Sequence, residues 1–227
     1  MCTIGAIRIS QDEYYLFKNK DFSRSKYRDR IIQTDLLWGA EGLETFSARP
    51  DIEDVYSGLS IGANKHGLFV ADSHVRITDL GTANPETSNY DILVEIALKE
   101  GQDIETALVA LEKRIASQPS WWGNHQHLRG ANDGLENNNS NSYGRFEWAA
   151  TRLKNIKNIR DIKDMLASHD AERTNSPQTG ICNHTYSQTV CSYILHYKQG
   201  QTTLHSLRGQ PCLTDHYFEQ ELFSSCR

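Results

Sequence analysis

The chain has 227 residues, 38% of them hydrophobic and 23% charged, and a formal net charge of −5. These values suit one globular domain, residues 1–227, with room for a large core. They exclude a global electrostatic case for nucleic acid, and the sequence has neither a membrane-spanning run nor a secretory leader pattern.

The first predicted element is a hairpin. An apolar run, Thr3 to Ile9, is followed by the polar break Ser10-Gln11-Asp12-Glu13. A second run, Tyr14 to Phe17, ends in Lys18-Asn19-Lys20-Asp21. Pairing the two runs brings the end of the second beside Cys2. Cysteine is small, so Met1 is expected to be clipped, leaving Cys2 with a thiol and a free α-amine. A free thiol titrates near ~8.5 and an α-amine near ~7.7–8.0, so the amine can take the thiol proton near neutral pH. In this reading Asp21 holds the amine and Lys18 favours the thiolate. A buried cysteine in a first strand is the plainer alternative.

Ser23 to Arg30 is basic and polar, and reads as a solvated loop. Leu36-Leu37-Trp38 precedes a glycine-rich break, with Trp38 either lining an acyl pocket or packed in the core. Ser57 to Val75 reads as strand, tight turn and strand, with Gly67 in the turn. Asn89 to Lys99 has helical spacing and stops at Gly101. Asp103 caps a second helix, whose expected apolar stripe is Ile104, Ala107, Leu108, Leu111 and Ile115.

Residues 132–142 form an asparagine-rich loop without apolar period. A helix follows, with Phe146, Ala149, Ala150 and Leu153 on one face, then another marked by Ile159, Ile162, Met165 and Leu166. The chain returns to β structure at Thr189 to Tyr197, turns at Lys198 to Gln201, and pairs back through Thr202 to Leu207. Strands at both ends with helices between them point to a layered α+β domain.

The five cysteines are Cys2, Cys182, Cys191, Cys212 and Cys226. An odd number without a secretion signal fits reduced thiols in a cytoplasmic protein. No spacing among them forms a zinc pair, and Cys182 and Cys191 lie too far apart for a knuckle. No metal is expected from these spacings, and a Cys2 nucleophile with its own amine as base needs no redox or other cofactor.

MCTIGAI followed by LFKNKDF resembles the cysteine N-terminal-nucleophile hydrolases. This superfamily includes choloylglycine hydrolases, N-acylethanolamine acid amidases and isopenicillin N acyltransferases. Its second strand ends in Arg-Asn-x-Asp, which Lys18-Asn19-Lys20-Asp21 matches with lysine for arginine. Lysine keeps the charge and loses the planar fork. The stretches Gly180 to His184, Thr189-Val190-Cys191-Ser192 and Gly209 to Cys212 are similar to the isopenicillin N acyltransferase group in particular.

The resemblance implies an αββα sandwich of two stacked antiparallel sheets. It implies an oxyanion donor at Asn124, with the 137–141 loop and Asn175 as other candidates. It also implies a helper at His74, or Ser73 in a shifted register, and a cation at Arg145 reaching the cysteine. The implied activity is cleavage or transfer of an acyl group at a linear amide C–N bond through a Cys2 thioester, hydrolysis being favoured. The implied partner is a small acyl-amide, with no nucleic acid or membrane. A homo-oligomer is neither indicated nor excluded. Two other readings stand beside it: a glutamine amidotransferase-type domain and a catalytically degenerate binding protein on the same fold.

Overall fold

The computed structural model describes residues 2–22, 29–42, 59–72, 91–116, 140–169, 180–184 and 188–223. They form two antiparallel sheets and four helices, a mixed α+β architecture. These elements fall into two compact units, Met1–Tyr27 with Asn138–Arg227, and Arg28–Asn137.

The first unit holds the expected hairpin, β1 (Thr3–Ser10) and β2 (Glu13–Phe22), paired from Thr3↔Asn19 to Ser10↔Glu13. Close packing fixes Gly5, since a Cβ there would lie 2.4 Å from the Phe17 ring. In the second unit, β3 (Asp29–Gln33), β4 (Leu37–Gly42), β5 (Ile61–Asn64) and β6 (Phe69–Ala71) form a four-stranded meander. The β3–β4 hairpin extends strand structure into Asp29 and Arg30, which the sequence assigned to no strand.

Asn64 makes the β5–β6 turn. Its side-chain oxygen accepts from the His66 and Leu68 amides, and its Nδ2 donates to the Leu98 and Gly101 carbonyls at 3.0 and 2.7 Å. One buried amide thus shapes the turn and satisfies the end of α1 (Asp91–Glu100). Gly67, at φ 85, takes the left-handed position expected of it.

Asp103 caps α2 (Ile104–Ala116) as anticipated, its Oδ1 accepting from the Thr106 amide at 2.8 Å. The expected stripe is met at Ala107 and Leu111, which pack in the core, but not at its other described members. Ile104 and Leu108 are exposed, and the buried side chains are Ala107 and Ala110. The chain approaches closely here, because a Cβ on Gly101 would lie 2.6 Å from the Ala107 Cβ. Small residues therefore take the contact that hydrophobicity alone would give to larger ones.

Returning to the first unit, α3 (Ser140–Leu153) and α4 (Ile159–Leu166) precede β7 (Gln188–Lys198), β8 (Gln201–Arg208) and β9 (Phe218–Leu222). The sheet order is β1-β2-β7-β8-β9. Gln199 and Gly200 both have positive φ, 48° and 85°, which matches a type I′ hairpin turn. Asn158 and Asp161 form a reciprocal capping box at the start of α4. Ile162, Met165 and Leu166 then pack on Tyr15, Phe17 and Ile194 of the sheet. In α3, Trp148, Ala149 and Leu153 join this core, whereas Phe146 faces outward.

His205 on β8 is 5% exposed, and burial pushes its imidazole down to about 4, with the charges of Lys163 and His196 acting in the same direction. The Glu219 carboxylate approaches His205 Nδ1 at 3.4 Å without hydrogen-bond geometry, so it does not offset burial. The imidazole is neutral when folded down to about pH 4, but protonates near ~6.5 when unfolded. Stability is therefore intact above the unfolded value and falls as pH drops from there toward the folded one. The expected loss is about 3 kcal/mol across that window. Denaturant titrations of the parent and His205→Leu should show a flatter acid limb in the variant, and equal acid limbs would refute this assignment.

Candidate functional site

The candidate site lies where β1 begins and β2 ends. Cys2 is a free, half-buried thiol one residue before the Thr3↔Asn19 pair. The antiparallel register therefore sets it across from Lys20. Side chains alternate along a strand, so Cys2, Lys18 and Lys20 belong to one face of the sheet and Thr3, Asn19 and Asp21 to the other. The two residues expected beside Cys2 are thus divided between the faces. Lys18 and Lys20 are both buried, and the Lys20 ammonium lies 5.7 Å from the centre of the Phe22 ring.

Asp21 is the best-held group on its face. Arg145 Nη1 donates to Asp21 Oδ2 at 2.6 Å, and Thr189 Oγ1 donates to Oδ1 at 2.8 Å. The ion pair is almost wholly enclosed, with side-chain exposures of 6% for Arg145 and 0% for Asp21. Burial pushes the Asp21 carboxyl up, and the Arg145 guanidinium and Thr189 hydroxyl pull it back. Arg145 Nη1 also reaches Thr3 Oγ1 at 3.4 Å, tying α3 to the residue after Cys2.

An irregularity in β7 assists this geometry. Lys20 pairs with Cys191 and Asp21 with Thr189, leaving Val190 as an extra residue. Such a bulge re-aims a side chain, and here it puts Thr189 opposite Asp21. Thr189 Oγ1 is itself fixed by the Asn183 amide at 2.9 Å, and the Thr189 amide donates to the Asn183 carbonyl at 2.8 Å.

Asn19 adds a second tie. Its Nδ2 donates to the Leu166 and Ile181 carbonyls, each at 2.9 Å, joining β2 to the end of α4 and to the 180–184 segment. Thr189, Asn183 and Asn19 were not assigned roles from sequence. Asn19 lies inside the Lys18 to Asp21 motif, and Thr189 opens the Thr-Val-Cys-Ser stretch, so both were in view as motif members.

Trp38 is 1% exposed within β4, so it is placed as a core side chain. Asn124, His74, Ser73, Asn175 and the 137–139 part of the asparagine-rich loop lie outside the described residues. Ser140 and Asn141 of that loop belong to α3.

A second group of reactive side chains lies in the same unit. The donor atoms of His169, Cys182, His184 and Cys212 all lie within 4.8 Å of one another. His169 Nε2 and His184 Nε2 are 3.0 Å apart, and Cys182 Sγ and Cys212 Sγ are 3.3 Å apart. His184 Nε2 lies 3.6 Å from Cys182 Sγ and 3.1 Å from Cys212 Sγ. The expectation of no metal rested on spacing along the chain, whereas the fold draws these donors from three separate segments.

Comparisons of the chain with protein-family models, with curated proteins and with solved structures found no match. Among the described residues no helix is long and apolar enough to cross a membrane.

Proposed function

We propose that the protein is an N-terminal-nucleophile cysteine amidase or acyltransferase acting on a linear amide C–N bond of a small acyl-amide. The observation that carries this reading is the buried Asp21, held by Arg145 and Thr189 at the strand end that the register brings to the start of β1. A carboxylate so enclosed is costly unless it has a counter-charge and hydrogen bonds, and this one lies beside the residue whose amine would serve as base. The four-layer sandwich of the resembled families belongs to the same proposal. It is supported by each sheet having helices on one face and buried side chains, such as Lys18 and Trp38, on the other.

In the proposed reaction Met1 is removed and the Cys2 α-amine accepts the thiol proton. The thiolate attacks the amide carbonyl, and the amine returns the proton to the leaving amine as the C–N bond breaks. The resulting thioester is released by water, or by an amine acceptor. Lys18, on the face of Cys2, favours the thiolate. Asp21 orients the amine, and Arg145 holds Asp21. Asn124 and His74 keep their proposed roles as oxyanion donor and helper.

The test is an intact mass before and after exposure to a thiol-directed acylating probe. The expected result is loss of Met1 and a single adduct on Cys2, absent from Cys2→Ala. Retained Met1 with no selective adduct would defeat the proposal and favour the degenerate binding protein.

A further inference from the structure

We infer that His169, Cys182, His184 and Cys212 form a four-coordinate zinc site that closes this end of the first unit. Zinc binds imidazole nitrogen at ~2.0–2.1 Å and thiolate sulfur at ~2.3 Å in tetrahedral structural sites. That geometry requires ligand–ligand separations of ~3.3 Å for two nitrogens, ~3.6 Å for nitrogen and sulfur, and ~3.8 Å for two sulfurs. The corresponding separations here are 3.0 Å for the nitrogens, 3.1 and 3.6 Å for the mixed pairs, and 3.3 Å for the sulfurs. Four of the six edges thus match the required polyhedron or fall slightly short of it, and the two from His169 to the sulfurs lie within 4.8 Å.

The supporting framework is rigid. His169 pairs through its backbone with Gly180, and the Cys182 amide donates to the Ser168 carbonyl at 3.0 Å. Asn19 holds Leu166 and Ile181 together across β2. The pair Cys191↔Arg208 brings the end of β8 back to the start of β7. Gly209, at φ 103, then turns the chain so that Cys212 meets the 182–184 segment.

Donor chemistry selects the ion. Two thiolates and two imidazoles suit zinc and disfavour magnesium or calcium, which prefer oxygen ligands. Four protein donors complete a closed site of the structural kind. Binding replaces the two thiol protons, which leave to solvent, and two thiolates then balance the dication. Asn183, between two of the ligands, fixes Thr189 and through it Asp21. The site is therefore a positioning device for the carboxylate as well as a clamp.

The full chain should be purified under reducing conditions as Cys2→Ala, so that the outcome is independent of any acyl chemistry. Metal analysis should give one zinc per chain, removable by chelation and restored by zinc chloride with a rise in Tm. Cobalt(II) added to the stripped protein should give thiolate-to-metal charge transfer and the intense visible bands of tetrahedral cobalt, both lost on adding zinc. Cys212→Ser and His169→Ala should each weaken cobalt binding on the order of a hundredfold or more. The parent titration carries the test even if a variant fails to fold. No stoichiometric metal, weak octahedral cobalt bands, or a Cys182–Cys212 disulfide persisting in reductant would overturn the site.

Discussion

Replacing Arg145 with methionine is expected to lower the unfolding free energy by about 3–5 kcal/mol. The reason is the residue left behind. Asp21 is fully enclosed, and Arg145 supplies a counter-charge at 2.6 Å. Without that charge the carboxylate keeps the Thr189 hydroxyl and the charge of the N-terminus as compensation, or is protonated in the folded state. Either route costs stability at neutral pH. The pair itself is a different matter, because the cost of desolvating both ions offsets most of their attraction. The double variant Asp21→Asn with Arg145→Met should therefore recover much of the loss. Denaturant midpoints for the parent, both single variants and the double variant would complete the cycle. A cost below about 0.5 kcal/mol for Arg145→Met would contradict the enclosure described above. Reactivity of Cys2 should not return with stability in the double variant, since the group orienting its amine is then gone.

The division between what the sequence disclosed and what it withheld follows the range of the forces involved. The first hairpin was legible because its apolar runs and polar break are local, and the Asp103 cap because a cap is a contact between near neighbours. The split between Lys18 and Asp21 was also available in principle. They are three residues apart, and an odd separation on a strand means opposite faces. Nearness of both residues to Cys2 along the paired strands carries no information about that parity.

The α2 stripe held at Ala107 and Leu111 but misled at Ile104 and Leu108, which outweigh Ala110 in hydrophobicity, while the close approach of Gly101 and Ala107 depends on size. The His169, Cys182, His184 and Cys212 group was out of reach of any spacing rule. Its donors are separated by a helix end, a short segment and a whole hairpin, and only the β7–β8 register brings Cys212 home. The motifs containing Cys182, His184 and Cys212 were visible, but their mutual distance is a property of the fold. The same holds for Thr189, whose meeting with Asp21 depends on the extra residue at Val190.

Lengthening the chain by one residue should discriminate the proposed chemistry from that of an ordinary reactive cysteine. Inserting lysine between Met1 and Cys2 keeps the thiol, Lys18, Asp21 and Arg145 in the chain. A bulky second residue also blocks removal of the initiator methionine. The only α-amine then belongs to Met1, two residues before the cysteine, and an amide nitrogen occupies the position of the base. Positioned general-base catalysis contributes roughly 10²–10⁴-fold. Acylation of Cys2 by the same probe is therefore expected to slow by at least about a hundredfold. Denaturant stability should change little, because the start of β1 is half-buried and its pairing begins at Thr3. A cysteine activated by Lys18 alone would label at nearly the parental rate in the extended chain, and that result would remove the α-amine from the mechanism. A slow extended chain whose rate recovers when a protease trims it back to Cys2 would assign the base to that amine.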